Sequence, residues 1–327
     1  MSTFTLLLPK DYVADATKHI QNAKERVVLL AMVVAQGRDT QGLVDAILDA
    51  ARRGVEVYVA ADVFTYGELN ETFLHNIYYT KEARKVTNMG KLLKDAGVKF
   101  SWLGRAQMLI FSGRTHSKWC IVDNTVYTFG GVNMYQKGVE NTDYMFKTIS
   151  RTLADKLIFE HMNLQKADKT GKLYKSHQFD IGNDHVLVDC GIIGNSIIYR
   201  HACDLATSAK SIIYVSQYPP SGKLARRLEG KQAVLYFNEP KTADFFSAIL
   251  IAITKFTSGV TTNYKRKKYL HAKFMIFNMP DGSRVAITGS HNFSYAGVVM
   301  GTREIALETR NPKIIDQLEH FLKTKVV

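Results

Sequence analysis

The chain has 327 residues, 46% of them hydrophobic, and a formal net charge of +13. This length allows one or two domains with sizeable cores, and the apolar content is ordinary for a globular protein. The positive charge favours anionic partners, namely phospholipid head groups, membrane surfaces or nucleic acid, and does not choose among them.

Several classes of protein are excluded by what the sequence lacks. The three cysteines, Cys120, Cys190 and Cys203, are sparse and form no CxxC pair, which argues against a disulfide framework or a zinc site. No apolar run approaches the roughly 20 residues of a transmembrane helix, and the short N-terminal run 5–8 lacks the basic region of a signal peptide. We therefore expect a cytoplasmic protein, with any membrane contact being peripheral.

The first half alternates helical and strand patterns up to residue 103. This alternation is typical of an α/β domain, and we expect its sheet to be largely parallel. Residues 64–88 are aromatic and polar without a clean period. We favour a long surface excursion here, and the alternative is that these residues form part of the rim of a substrate pocket. The predicted helices are 11–24, 40–53 and 89–96, and the predicted strands are 26–35, 55–61 and 98–103.

A dense polar and apolar pattern follows between residues 114 and 133. His116 and Lys118 are two residues apart, and a strand-like run follows them. This run ends at a polar turn that begins with Asp123. A return strand leads into Gly-Gly-Val and then Asn133. Residues two apart on a strand share a face, so the imidazole and the ammonium group are expected side by side, near the carboxamide. These three groups suit a phosphate ligand.

The same pattern returns in the second half of the chain. His271 and Lys273 are again two apart, a strand and a turn beginning at Asn278 follow, and a return strand ends in Gly-Ser-His-Asn, with Asn292 last. A single His-x-Lys would mean little, but two copies with the same strand, turn, strand and ending are a strong signal of an internal repeat.

Residues around the two motifs complete two halves of similar grammar. We expect a first domain at 1–165, an aperiodic linker at 166–185 and a second domain at 186–327. The predicted helices here are 151–165, 195–208, 222–229, 244–256 and 312–323, and the predicted strands are 140–146, 211–217, 232–237 and 304–309.

The paired motifs HxKxxxxD…GGxN and HxKxxxxN…GSxN resemble those of the phospholipase D superfamily, and the resemblance spans both halves. It implies two similar α/β/α sandwich domains related by a pseudo-twofold axis, with one active site at their interface. It also implies a covalent phosphohistidine intermediate and no metal or cofactor.

The resemblance also implies roles for the motif residues. His116 is expected to be the nucleophile and His271 the acid/base, with the reversed assignment left open. The residues expected to hold the phosphate oxygens are Lys118, Lys273, Asn133 and Asn292.

In the family a carboxylate about ten residues beyond the Gly-x-Asn ending holds each histidine. By position this is Asp143 for His116 and Glu304 for His271, with Glu140 as the alternative to Asp143. A hydrogen bond on the second imidazole nitrogen fixes the tautomer of the ring.

Four further residues of the motifs are assigned. Asp123 and Asn278 are expected to be structural, because both residue types suit the turn after a strand. Ser290 replaces the glycine of the first motif and is a weaker phosphate-binding candidate. His291 is expected to point away from Asn292 and to be structural.

Two stretches outside the motifs have more than one interpretation. Residues 244–256 are apolar nearly all round, which favours a buried core helix. The alternatives are an apolar wall for acyl chains and an interfacial membrane contact, since the stretch is too short to span a bilayer. The basic run 264–269 (YKRKKY) is either a solvated loop or a collector of phosphates, and its tyrosines could also stack on bases.

The sequence as a whole predicts a phosphodiesterase or phosphatidyltransferase similar to phospholipase D and bacterial cardiolipin synthases, acting first on phospholipids. A metal-independent nuclease of the same superfamily is the second hypothesis. The third is a non-catalytic protein that binds anionic surfaces.

Overall fold

The computed structural model describes residues 3–70, 80–104 and 113–327, which form two compact units. The first comprises Met1–Thr128, Val132–Glu140 and Tyr144–Tyr174. The second comprises Lys175–Val327 together with two short segments from earlier in the chain, Phe129–Gly131 and Asn141–Asp143. This division differs from the predicted linear boundaries, because residues of the first motif region pack with the second unit.

The first unit contains strands and helices in close alternation, as the periodicity predicts. Its strands are β1 (Thr5–Leu7), β2 (Arg26–Ala31), β3 (Glu56–Asp62), β4 (Lys99–Leu103), β5 (Trp119–Val122), β6 (Thr125–Thr128) and β7 (Met145–Ile149). Its helices are α1 (Pro9–Gln21), α2 (Gln41–Arg52), α3 (Phe64–Leu69), α4 (Lys81–Asp95), α5 (Gln136–Glu140) and α6 (Arg151–Thr170).

Among the described residues these strands form one seven-stranded sheet in the order β1-β7-β6-β5-β2-β3-β4. Only β2–β3 and β3–β4 pair in parallel there, so the expectation of a largely parallel sheet is wrong. The reason is the motif itself: a two-residue turn between β5 and β6 allows only an antiparallel hairpin.

Helices cover both faces of this sheet. Residues of β2 and β3 with one parity, such as Leu29 and Val59, pack in the core beneath α1 and α2. Residues of the other parity face α6, where the ring of His161 lies 6.2 Å from that of Tyr58 and 6.1 Å from that of Trp119. The first unit is therefore an α/β/α sandwich, as predicted.

Burial of His161 predicts acid sensitivity of the first unit. The side chain is fully buried, neither ring nitrogen has a hydrogen-bond partner within the described part of the chain, and burial lowers its pKa from 6.5 to about 4. The unfolded chain binds the proton first, so this residue removes stability progressively as the pH falls from 6.5 towards 4. The full loss is about 3 kcal/mol, at about 1.4 kcal/mol for each unit of pKa.

We expect His161→Leu to flatten the decline of unfolding free energy between these pH values. Urea unfolding followed by tryptophan fluorescence measures this, because both tryptophans, Trp102 and Trp119, lie in the first unit. His320→Leu, at an exposed position, should leave the decline unchanged. Equal pH profiles for wild type and His161→Leu would contradict the prediction.

The second unit repeats this organisation. Its strands are β8 (His177–Ile181), β9 (Asp184–Cys190), β10 (Ser211–Val215), β11 (Gln232–Tyr236), β12 (Phe274–Asn278), β13 (Arg284–Gly289) and β14 (Arg303–Thr309). Its helices are α7 (Ile197–Ser208), α8 (Gly222–Leu228), α9 (Phe245–Ser258), α10 (Tyr295–Met300) and α11 (Pro312–Phe321), with a 3₁₀ turn at Pro240–Thr242 and a π turn at Leu322–Val326.

Its strands form a sheet that, within the described residues, has the order β11-β10-β12-β13-β14-β9-β8. One face, including Met275 and Ile287, packs against α7 and α8. The opposite face carries Phe274, whose ring lies 6.3 Å from that of Phe321 on α11. The second unit is thus also an α/β/α sandwich, and the predicted fold of two similar domains is confirmed.

Three predicted segments differ in the structure. Residues 166–185 are mostly not a linker, since α6 continues to Thr170 and β8 pairs with β9, leaving 171–176 as the connection. Much of the excursion predicted at 64–88 is helical, in α3 and the first half of α4, while 71–79 lie outside the described residues. The apolar stretch 244–256 forms α9, but its large side chains are not all buried.

The cysteines and the lengths of the helices bear on two of the classes considered from the sequence. All three cysteines are free and buried, and burial raises the pKa of the Cys120 thiol to about 12, as expected for an inert core residue. Among the described helices, none has both the length and the apolar content needed to cross a membrane.

Candidate active site

The turn of the first motif is anchored by Asp123. This residue has a φ of 53° between β5 and β6, and its carboxylate accepts backbone N–H groups from residues 24, 25 and 26 at 2.8–3.0 Å. Partial burial favours the neutral acid, but the three hydrogen bonds outweigh it and lower the pKa of Asp123. Asp123 therefore holds the hairpin to the start of β2, in keeping with the structural role expected of it.

The histidine and lysine of the first motif precede the strand. β5 begins at Trp119, so His116 and Lys118 lie in the extended segment before it, and the expectation that they project from the strand is wrong. The Lys118 ammonium is buried and donates to the His116 carbonyl at 2.6 Å. Asn133 lies beyond β6, and its Oδ1 accepts a hydrogen bond from the Val33 N–H at 3.3 Å. The NH₂ group of Asn133 takes no part in this hydrogen bond.

The second motif has the same local geometry. The buried Lys273 ammonium donates to the carbonyl of His271, and both residues directly precede β12. Asn278 ends β12 and donates to the Ser211 hydroxyl at 3.0 Å, so it ties the turn to β10. The Asn292 carbonyl accepts the Ser216 hydroxyl at 2.8 Å, and its side chain is buried.

The best-defined side-chain contact of a motif histidine joins His271 to Asp143. Asp143 Oδ2 lies 2.7 Å from His271 Nδ1, the carboxylate is fully buried, and the imidazole is 14% exposed. The backbone of Thr142 pairs with this segment: its N–H donates to Tyr269 at 2.8 Å, and its carbonyl accepts the His271 N–H at 2.9 Å. This pairing brings Asp143 to a histidine 128 positions away.

This contact corrects the predicted pairing of carboxylates with histidines. Asp143 was expected to hold His116 and Glu304 to hold His271, because each pair lies within one half of the sequence. The segment 141–143 instead belongs to the second unit, through its backbone pairing with the residues before β12. The alternative carboxylate, Glu140, accepts hydrogen bonds from Gln136 at 2.6 Å and Arg38 at 3.4 Å.

The residue two positions before the motif asparagine is Gly131 in the first motif and Ser290 in the second, and this difference has a physical consequence. A Cβ atom on Gly131 would lie 2.6 Å from Asp143 Oδ2, so a larger residue would displace the carboxylate. At the corresponding position, the Ser290 hydroxyl donates to Glu304 at 2.5 Å and accepts the Ile305 N–H at 3.0 Å. The one hydroxyl proton of Ser290 has two acceptors within the protein, Glu304 and, at 3.3 Å, the Ile305 carbonyl, which argues against the predicted phosphate contact of Ser290.

Two positioning residues were missed at the sequence level. Asp62 accepts the Thr115 N–H at 2.9 Å, immediately before His116. Asn238 does the same for the N–H of Leu270, immediately before His271, at 2.9 Å, and its amide donates back to the Leu270 carbonyl at 2.7 Å. Each fully buried side chain therefore fixes the backbone that leads into a motif histidine.

Asp62 and Asn238 occupy equivalent positions in their sheets. The Asp62 N–H donates to Met32 at 3.2 Å just after β2, and the Asn238 N–H donates to Gln217 at 3.4 Å just after β10. A signal was present in the sequence, because each follows directly on a predicted strand, 55–61 and 232–237. The repeat therefore includes an oxygen acceptor that the motif comparison alone does not reveal.

The surroundings of the second motif include one buried histidine and one basic loop. The His291 Nδ1 accepts the Phe293 N–H at 2.7 Å in the interior, which fits the expected structural role. In the loop, the buried Tyr264 hydroxyl donates to the Lys268 carbonyl, while Lys265 and Lys267 are exposed. The loop is thus a solvated basic surface held by a tyrosine.

Each unit therefore contains a motif histidine whose backbone carbonyl accepts a hydrogen bond from a buried lysine. In the second unit, Asp143 orients the imidazole so that Nδ1–H faces the carboxylate and Nε2 is left as the reactive nitrogen. A neutral Nε2 can attack an electrophile or take up a proton, and its protonated form can donate one.

Comparison with known proteins identifies relatives of the whole chain. A family model described as "Cardiolipin synthase, PLD-like domain" matches residues 16–163 and 241–325. No curated protein matches the chain.

Among solved structures, phosphatidylserine synthase of Haemophilus influenzae Rd KW20 is similar over 99% of this chain and 86% of its own, at 12% identity and a TM-score of 0.74. Polyphosphate kinase of Porphyromonas gingivalis is similar over 98% of this chain and 46% of its own, at 11% identity and a TM-score of 0.63. At these identities the structural likeness concerns the fold alone.

Proposed function

This chain belongs to the phospholipase D superfamily, within the cardiolipin synthase-like family of PLD domains, and on that premise we propose that it transfers or hydrolyses phosphodiesters of phospholipids. The reaction would pass through a phosphohistidine. The observation that carries the proposal is the His271–Asp143 hydrogen bond beside Lys273, within a chain that repeats the His-x-Lys motif.

The proposed reaction has two steps. The neutral imidazole of His116 forms a bond to phosphorus, the bond from phosphorus to the leaving alkoxide breaks, and His271 gives that alkoxide a proton. In the second step His271 takes a proton from water or an acceptor alcohol, whose oxygen displaces His116 from phosphorus. The histidines thus begin in opposite protonation states and return to them.

Charged and polar neighbours support this chemistry. Lys118, Lys273, Asn133 and Asn292 are proposed to stabilise the negative charge that grows on the non-bridging oxygens. The two ammonium groups are buried, where charge interactions are stronger than in water. We propose that Asp143 stabilises the imidazolium form of His271, because a carboxylate beside a histidine favours its protonation.

The test is a paired assay of the purified protein with EDTA present. One arm offers phosphatidylglycerol vesicles with and without glycerol, and the other offers single-stranded and double-stranded DNA. We expect lipid turnover that falls at least about a thousandfold in His116→Ala and in His271→Ala, since loss of a covalent nucleophile or of its acid removes a whole step. His185→Ala, an exposed histidine bonded to Asp180, is the matched control and should be unaffected.

Other outcomes separate the rival functions. Cleavage of DNA that is lost in both histidine variants would establish a nuclease instead, and glycerol-dependent products would separate transfer from hydrolysis. Turnover of neither substrate, with binding to anionic vesicles retained in His116→Ala, would favour a non-catalytic surface-binding protein. Trapping of an acid-labile phosphoryl adduct in His271→Ala and not in His116→Ala would assign the nucleophile.

A further inference from the structure

Helix α9 exposes a stripe of large apolar side chains. Ile249, Ile253 and Phe256 are 44%, 57% and 89% exposed, and Phe245 at the helix start is 72% exposed. Residues spaced by three or four positions lie on one face of a helix. On the opposite side, Ile251 is fully buried. The helix therefore packs by one face and exposes the other, which is also apolar. A contiguous apolar face of this kind is unusual on a protein surface that contacts only water.

Hydrogen bonds connect α9 to the segment that precedes a motif histidine. The Ser247 hydroxyl lies 3.2 Å from that of Tyr218, and Gln217 donates to the Tyr218 and Tyr269 hydroxyls, both at 2.9 Å. Tyr269 lies two residues before His271. A continuous hydrogen-bonded chain thus connects α9 to the backbone that carries this histidine.

The segment 239–268, which contains α9, has an excess of positive charge, with six basic residues and two acidic ones, Glu239 and Asp244. Lys265 and Lys267, in the loop that leads to Tyr269, are exposed, and the whole chain carries +13. Lys255 on α9 pairs with Glu239 at 2.8 Å. An apolar stripe with cationic neighbours fits a surface that is apolar below and anionic above, which is the interface of a bilayer containing anionic lipids.

We propose that α9 docks the protein onto anionic phospholipid bilayers by inserting Ile249, Ile253 and Phe256 into the interface. The 14-residue helix is too short to span the roughly 30 Å hydrocarbon core, so it would lie in the plane of the membrane. A second copy of the chain is a poorer occupant, because two copies would bring like net charges together. The inference rests on the proposed function, since a lipid substrate must be reached at the membrane.

The test compares two matched double variants. Ile253→Ser with Phe256→Ser removes the apolar tip of α9. Ile149→Ser with Phe159→Ser, at positions 68% and 64% exposed in the first unit, makes the same chemical change elsewhere. Co-sedimentation with phosphatidylglycerol/phosphatidylcholine vesicles measures binding, and dihexanoyl phosphatidylglycerol below its micelle concentration measures turnover without a membrane.

We expect the α9 variant to lose at least about tenfold in vesicle partitioning, because each large apolar side chain contributes strongly to interfacial insertion. Its turnover of the soluble lipid should equal that of wild type, and the control variant should bind like wild type. Lys265→Gln with Lys267→Gln should weaken binding about fivefold for each charge, on phosphatidylglycerol vesicles only.

Three outcomes would overturn the proposal. The α9 variant could sediment with vesicles as wild type does. It could lose turnover of the soluble lipid, which would make α9 a wall of the substrate site. It could convert a wild-type dimer to a monomer in ultracentrifugation, which would make the stripe a subunit interface. Failure of the proposed function is a separate result, namely no turnover of either lipid by wild type while vesicle binding is still measurable.

Discussion

Replacement of Asp143 with asparagine is expected to lower turnover about a thousandfold while the protein stays folded, by analogy with other carboxylate–histidine pairs. The carboxylate accepts a hydrogen bond from the His271 Nδ1–H at 2.7 Å, which favours the tautomer whose Nε2 carries no proton. An asparagine can present its NH₂ group to Nδ1 and so stabilise the wrong tautomer. It also removes the negative charge that lies beside the imidazole.

The measurement is the pH dependence of turnover in wild type and Asp143→Asn. We expect a loss in turnover rate rather than in KM, together with a shifted limb of the profile, because the variant alters the proton affinity of a reacting group. A merely structural role would leave the profile in place. Glu140→Gln is the matched control, because Glu140 was the alternative carboxylate and it accepts hydrogen bonds from Gln136 and Arg38. A large loss in Glu140→Gln with a small one in Asp143→Asn would refute the assignment.

Asp62→Ala is expected to lower the unfolding free energy of the first unit by about 3–5 kcal/mol, the usual effect of removing one partner of a buried ion pair. Asp62 Oδ1 accepts from the Arg114 guanidinium at 2.8 Å, and these side chains are only 0% and 6% exposed. The variant leaves the guanidinium buried without its carboxylate. It also frees the Thr115 N–H that Asp62 holds in place before His116.

Urea unfolding followed by tryptophan fluorescence measures this loss in the unit that contains Asp62. The double variant Asp62→Leu with Arg114→Met should lose less stability than Asp62→Ala, because replacing both partners leaves no unpaired buried charge. Arg52→Met, which breaks an exposed pair with Asp49, is the matched control and should change stability by less than about 1 kcal/mol. An Asp62→Ala effect as small as that of Arg52→Met would show that the buried pair does not stabilise the unit.

The two halves of the repeat hold their carboxylates by different means. Asp143 has the shorter side chain, and it approaches so closely that only glycine fits at position 131, whose N–H donates to Asp143 at 3.2 Å. Glu304 has one more methylene group and is met by the hydroxyl of Ser290. The pairs Gly131–Asp143 and Ser290–Glu304 thus pack a carboxylate against the same motif position in two ways. Exchanging a single member of either pair would disrupt the contact within that pair.

Sequence patterns alone predicted most of the elements and the superfamily of this protein. Hydrophobic periodicity is a local property, so most strands and helices, such as β10 and α2, were predicted within a few residues. The duplicated His-x-Lys motif is also local, and it was sufficient to indicate the superfamily and the two-domain α/β fold. Residue type at a turn likewise indicated the structural role of Asp123.

Only the tertiary structure decided which distant groups meet. The partner of His271 is 128 positions away, and spacing along the chain could not reveal that Thr142 pairs with Leu270. A helix that is apolar nearly all round does not reveal which face the protein covers, so the exposed stripe of α9 required the packing of its neighbours. Local sequence sets what a segment can form, whereas burial and pairing depend on every segment that competes for the same surface.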